Sequence, residues 1–285
     1  MSFPGRFVDT SRGRVFVHRA GSGRPLVLVH GFMMSHWIFR PILPELARER
    51  DVIAIDLPGF GESDRPPPDR YAYNSPAFAA TVVEVLERLG VARADVLGHS
   101  MGGGTALALA ARHPALVDRL MLVSPAVYPL PLYPEHKLML SALGPFLWKH
   151  VFARRDMARS WRARHVRDAA TVTDELVDYV WARLNRAGGR EAAYAAALEL
   201  AKLNNNNADP GRVRAPTLLL WPEEDRVVPL AHGKRLARVI PGARLAVVPA
   251  CGHDVFIERP AQALREIVEF LAEPAAAAAE RRSAS

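Results

Sequence analysis

The sequence predicts an α/β fold: a doubly wound, mostly parallel sheet with a helical segment inserted between two of its strands. Three observations lead there. Short β-rich runs alternate with longer helical stretches along most of the chain, which is how parallel strands joined by crossover helices read. The central runs Leu26-Val27-Leu28-Val29, Val52-Ile53-Ala54-Ile55 and Leu218-Leu219-Leu220 are apolar throughout instead of alternating, as expected of strands buried on both faces. From about residue 126 to 209 the strand pattern stops and only proline-rich turns and helix-like stretches remain.

Taken in order, the strand candidates are 14–18, 26–30, 51–55, 94–98, 119–124, 217–221 and 244–248. Helices are expected over 36–48, 75–89, 101–112, 230–239 and 261–271. Pro125, Pro129, Pro131 and Pro134 open the interruption, and the asparagines 204–207 with Pro210 close it. The organisation that follows is a first core part at 1–125, a helical cap at 126–209, a second core part at 210–274 and a tail at 275–285. An insertion at that place belongs over the carboxyl ends of the strands, where open α/β sheets bind ligands.

Composition narrows the classes. The chain has 285 residues, 49% of them hydrophobic and 24% charged, in the range of a globular protein with a sizeable core. No run reaches the roughly 18 apolar residues of a membrane span, and residues 1–6 lack the apolar centre of a secretory leader. With Cys251 as the single cysteine, no internal disulfide and no multi-thiolate metal site can form; a cytoplasmic location is expected. No histidine pair has ligand spacing, so neither a metal nor any other cofactor is expected. The net charge of +7 comes from arginines spread along the chain, which reads as a solvated surface and not as a nucleic-acid interface. Oligomeric state is not readable.

The chemistry centres on Gly98-His99-Ser100-Met101-Gly102. This G-x-S-x-G follows an apolar strand candidate and precedes an Ala/Leu-rich helix, so Ser100 falls on a sharp strand-to-helix turn that needs small neighbours. A serine hydroxyl needs a base, and the base needs an orienting acid. His253, in Pro249-Ala250-Cys251-Gly252-His253 after the last strand, fits the base, and Asp225, in Pro222-Glu223-Glu224-Asp225 after strand 217–221, fits the acid. Glu224 and Glu223 compete with Asp225 for that role. The tetrahedral intermediate needs two amide donors; Met101 would supply one and Phe32, in His30-Gly31-Phe32, the other, with His30 bracing that loop. His99 is read as a supporting residue, and His113, His150, His165 and His232 as ordinary surface or core histidines.

These segments, in this order and together with Asp56-Leu57-Pro58-Gly59-Phe60-Gly61-Glu62-Ser63, resemble the α/β-hydrolase superfamily, particularly its capped, esterase-like members, over roughly residues 14–270. The resemblance implies the order nucleophile Ser100, acid Asp225, base His253; the spacing of Asp225 to Val228-Pro229 is the usual one. Dehalogenases and epoxide hydrolases of the same layout carry aspartate at the elbow, where Ser100 stands, and commonly proline at the position of Phe32. Carbon–carbon hydrolases of ring-cleavage products use serine but typically place tryptophan after the catalytic histidine, where this chain has Asp254. The expected activity is therefore cleavage of small to medium hydrophobic carboxylic esters through an acyl-enzyme on Ser100. Carbon–carbon hydrolysis, or perhydrolase or acyl-transferase activity with the same triad, is the alternative. A non-catalytic binder has no need of all five parts.

The expected partner is a small hydrophobic ester, since the front of the cap is rich in aromatic and aliphatic residues. Tyr128, Leu138, Phe146 and Trp148 are the candidates for its pocket.

Overall fold

The computed structural model describes residues 5–131, 134–152, 154–202 and 208–273. Its centre is one eight-stranded sheet of β1 (Gly5–Thr10), β2 (Gly13–Ala20), β3 (Arg24–Val29), β4 (Arg50–Ile55), β5 (Ala94–His99), β6 (Val117–Val123), β7 (Thr217–Pro222) and β8 (Arg244–Val248). The spatial order is β1-β2-β4-β3-β5-β6-β7-β8. The β1/β2 and β2/β4 pairs are antiparallel and all others parallel.

The apolar runs explain the two-sided burial. Along β3, Val27 and Val29 join one hydrophobic cluster while Leu26 and Leu28 join the other, because successive side chains of a strand point to opposite faces. The first cluster is completed by α1 (Ser75–Arg88), α2 (Met101–Arg112) and α6 (Leu230–Val239), and the second by α7 (Pro260–Ala272). Helices on both faces of a mostly parallel sheet make the doubly wound fold expected from the sequence.

Two local expectations change. Strand β1 has no counterpart among the strand candidates. It is an edge strand with only Val8 buried, so no apolar run marks it. The expected helix over 36–48 is broken into a 3₁₀ turn, His36–Phe39, and a four-residue helix, Leu43–Leu46. Pro41 and Pro44 lie within that stretch, and a proline supplies no N–H to a continuing helical ladder.

Between β6 and β7 the chain runs through short helices at Pro134–Met139 and Gly144–Leu147. It then forms α3 (Arg155–Ala163), α4 (Asp174–Leu184) and α5 (Gly189–Ala201). No strand occurs among the described residues of 126–209. These helices share the core's clusters: Trp148, Leu184 and Ala192 join the first, and Val166, Val177 and Val180 the second. Arg183 and Arg186 both pair with Glu62 of the loop after β4, adding ionic ties at the same seam. Asparagines 204–207 and the 275–285 tail lie outside the described residues. Among the described residues no helix is long and apolar enough to cross a membrane.

Candidate active site

The site lies at the carboxyl ends of β3, β5, β7 and β8, where four loops converge. Ser100 stands between β5 and α2 with φ 54° and ψ −116°, a backbone region that side chains rarely adopt. Two glycines make the turn possible. A Cβ on Gly98 would stand 2.2 Å from the Gly102 carbonyl oxygen, and one on Gly102 would stand 2.2 Å from that of Val29. The strained residue is pinned from both sides, since its N–H donates to Val123 O at 2.9 Å and its carbonyl accepts from Ala126 N at 2.9 Å.

His253 Nε2 lies 2.9 Å from Ser100 Oγ and His253 Nδ1 lies 2.7 Å from Asp225 Oδ2. With Nδ1–H donating to the carboxylate, Nε2 is free to accept the serine proton. The other Asp225 oxygen accepts from the Val227 and Val228 amides, each at 2.8 Å. Glu224 points away and pairs with Arg167 at 2.8 Å; Glu223 Oε2 receives the Ala250 amide. Of the three candidate acids, only Asp225 reaches the imidazole.

All three side chains are buried. Burial disfavours the imidazolium, but attraction to Asp225 and the hydrogen bond to it outweigh that cost and hold the His253 pKa above its ordinary value. Burial likewise works against the Asp225 carboxylate, and the charge and hydrogen bond of His253 together with the two amides keep its pKa below the usual carboxylate range.

The β3 loop comes close enough to complete the site. A Cβ on Gly31 would stand 3.1 Å from His99 Nδ1 and 3.2 Å from Ser100 Cβ, so this loop passes close beside Ser100. Among the described residues neither the Phe32 nor the Met101 amide donates a hydrogen bond to another group of the chain. Two such amides flanking a serine can stabilise an oxyanion. His30 accepts the Leu57 amide on Nε2 at 2.9 Å, which leaves Nδ1–H to donate to Gly31 O at 2.8 Å. It thereby joins the loops after β3 and β4. His99 Nε2–H donates to the His253 carbonyl at 3.1 Å.

Above Ser100 and His253 opens a cavity of about 570 Å³. Phe32, Met34, Leu130, Met139, Trp148, Trp161, Tyr194 and Leu198 wall it, with Arg162, His165 and Asp254 forming a polar end beside His253. The Phe32 ring meets Trp161 edge-on at 5.5 Å, and Trp148 lies 6.0 Å from Tyr194.

Of the four pocket candidates, only Trp148 lines this cavity; it is buried and donates its indole N–H to Arg190 O at 2.7 Å. Phe146 is 63% exposed and packs on His150, and Leu138 is 45% exposed. Tyr128 is buried elsewhere, between His232 and the Arg235 guanidinium. Hydrophobicity alone did not distinguish cavity walls from the outer face of the insertion. His165, read as ordinary, has its backbone carbonyl 2.6 Å from the His253 N–H. Arg162 was missed because α3 is Arg-rich and reads as solvated. The available signal was its spacing of four from Ala158, which puts both on the buried face.

A sequence model described as the alpha/beta hydrolase fold matches residues 24–260. The chain is 34% identical over 282 residues to a 2-hydroxymuconate semialdehyde hydrolase of Pseudomonas sp. (strain CF600), covering 96% of each chain. It is 30% identical over 274 residues to the hydrolase YugF of Bacillus subtilis (strain 168), covering 93% of this chain and 97% of that one. Among solved structures, a meta-cleavage product hydrolase from Pseudomonas fluorescens IP01 superposes with a TM-score of 0.81 at 27% identity, over 94% of this chain and 97% of that one.

Proposed function

The chain belongs to the α/β-hydrolase family, and within it we propose a serine hydrolase that breaks the carbon–carbon bond next to the keto or aldehyde carbonyl of a ring-cleavage type of oxo-dienoate. What carries the serine-hydrolase reading is the unbroken chain of contacts Ser100–His253–Asp225 at the floor of a largely apolar cavity. What supports the bond type is the near full-length similarity to enzymes whose names specify such substrates.

In this mechanism His253 Nε2 takes the Ser100 proton as Oγ bonds to the substrate carbonyl, and Asp225 steadies the imidazolium. The carbonyl oxygen gathers negative charge opposite the Phe32 and Met101 amides. For this the substrate reacts as its 2-oxo-enoate tautomer, in which the hydroxyl proton has moved to the carbon beside the carbonyl. On collapse the bond to that sp³ carbon breaks, its electron pair passes into the conjugated enone as a dienolate, and His253 returns its proton to the dienolate oxygen. Water, deprotonated by the same imidazole, then releases the acid from Ser100. Net addition of one water gives a carboxylic acid and a dienol fragment.

A second reading, hydrolysis of small to medium hydrophobic esters, is favoured by one position. Asp254 follows His253 where the carbon–carbon hydrolases typically carry tryptophan. Both readings use the same acyl-enzyme. Parallel measurement of kcat/KM on 2-hydroxymuconate semialdehyde, followed by loss of dienoate absorbance, and on p-nitrophenyl esters of two to eight acyl carbons tests them. Turnover of the dienoate well above the esters is expected. Ester turnover with an inert dienoate would reverse the order of the two readings.

A further inference from the structure

We propose that Arg162 is a positioning residue for the catalytic histidine, and that the inserted helical segment, through the Arg162–Asp254 pair, is part of the catalytic apparatus and not only a cover. The proposal rests on His253 being the base of a serine hydrolase.

Arg162 sits on α3 with 2% of its side chain exposed, and Asp254, directly after His253, with 1%. Arg162 Nη1 lies 3.4 Å from Asp254 Oδ2. Neither Asp254 oxygen has a hydrogen-bond partner, nor do Nε and Nη1 of Arg162, so the two hold each other by charge. A buried charge that loses its counter-charge is strongly disfavoured, which makes each member dependent on the other.

The same stretch of chain grips the histidine loop again just beyond. The His253 N–H donates to His165 O at 2.6 Å. The Glu258 carboxylate bridges the two segments, taking the Gly252 amide on Oε1 at 2.9 Å and the Arg167 and Asp168 amides on Oε2 at 2.8 and 3.3 Å. The fit is tight: a Cβ on Gly252 would stand 2.5 Å from Arg167 N.

Five ionisable groups face His253. They are Asp225 from the loop after β7, Asp254 from its own loop, Arg162 and His165 from the insertion, and His99 from the elbow. Burial, followed by repulsion from His253, lowers His99 to about 4. Burial, followed by repulsion from Arg162, lowers His165 to about 3. Both are neutral near pH 7, so the field on the imidazole comes from Asp225, Asp254 and Arg162. The negative charge of Asp254 favours the imidazolium and the positive charge of Arg162 opposes it. Cancelling these two leaves Asp225, the carboxylate aligned with Nδ1, as the charge that orients the base.

The test is a comparison of Arg162→Ala, Asp254→Asn, their double variant and Arg162→Lys against the unaltered chain. Two readouts are followed, the NMR titration of ring-labelled His253 and the pH profile of kcat/KM. Arg162→Ala should move the His253 titration to higher pH and lower kcat several-fold at pH 6 with a smaller change in KM. Asp254→Asn should move the titration to lower pH. The double variant, which removes both charges and leaves no uncompensated group to unfold the site, should return it close to the starting position. Arg162→Lys should restore most of what alanine loses. Folded single variants with an unmoved titration, or a double variant whose shift equals neither cancellation nor rescue, would overturn the proposal. Labelling of Ser100 by a fluorophosphonate checks the hydrolase reading separately, since the titration reports on the pair whether or not the assay substrate is turned over.

Discussion

His253 Nδ1 and Asp225 Oδ2 stand 2.7 Å apart, and the remaining Asp225 oxygen is occupied by the Val227 and Val228 amides. The carboxylate is thus fixed by its own loop before it meets the imidazole. Asp225→Asn keeps the loop's shape but leaves the histidine without a charged partner, and should lower kcat about 10³–10⁴-fold. Glu224→Gln removes only the contact with Arg167 and should stay within a few-fold. Steady-state kinetics on the two purified variants decides, and the reverse ranking would move the acid one residue upstream.

Ser100→Ala preserves the elbow, since the left-handed backbone is set by Gly98, Gly102 and the bonds to Val123 and Ala126 rather than by Oγ. Turnover should fall about 10⁴-fold or more with an unchanged circular-dichroism melt. A folded variant that keeps most of its activity would remove the serine nucleophile.

At the elbow itself, Gly102→Ala places a methyl 2.2 Å from Val29 O and 2.4 Å from His30 O. Both are backbone atoms, at the last residue of β3 and the one after it, and cannot swing away. The expected loss is about 1–3 kcal/mol or more of stability, read by urea denaturation, together with lost activity. Gly90→Ala is a control, because nothing lies within 4 Å of its Cβ position, though its φ of 70° carries a small cost of its own.

In the proposed mechanism the working base is neutral His253, whose pKa lies above the ordinary imidazole value of about 6.5. Below that pKa the imidazolium cannot accept the Ser100 proton, so kcat/KM should rise with pH through a limb above about 6.5 and then level. A limb well below pH 6 would mean that burial, and not Asp225, dominates the site.

Trp148 and Phe146 separate wall from surface. Trp148 lines the cavity and anchors its N–H on Arg190. Trp148→Ala should cost about 3–5 kcal/mol and alter the ranking of esters by acyl length, each added methylene being worth about 0.8 kcal/mol where it is buried. Phe146→Ala, on a residue 63% exposed, should change neither melting temperature nor ranking. Equal scaling of all esters in the Trp148 variant would show that this residue packs without selecting.

Local chemistry made the fold legible, and the motifs named the three residues whose side chains meet, Ser100, His253 and Asp225. Apolar runs mark strands buried on both faces, and Gly98-His99-Ser100-Met101-Gly102 marks a turn that few sequences tolerate, because backbone sterics act between near neighbours. Edge strand β1 left no such mark, since an exposed strand needs no apolar run, and the helix expected over 36–48 overlooked what Pro41 and Pro44 do to a hydrogen-bond ladder. Which of three adjacent acids faces His253, and which of the apolar residues in 128–148 wall the cavity, depend on the direction of each side chain relative to distant elements. Arg162 and Asp254 are 92 positions apart, and nothing local to either shows that one compensates the other. Only folding brings the two into a medium of low dielectric, where an unpaired charge is too costly to keep and a paired one can govern its neighbour.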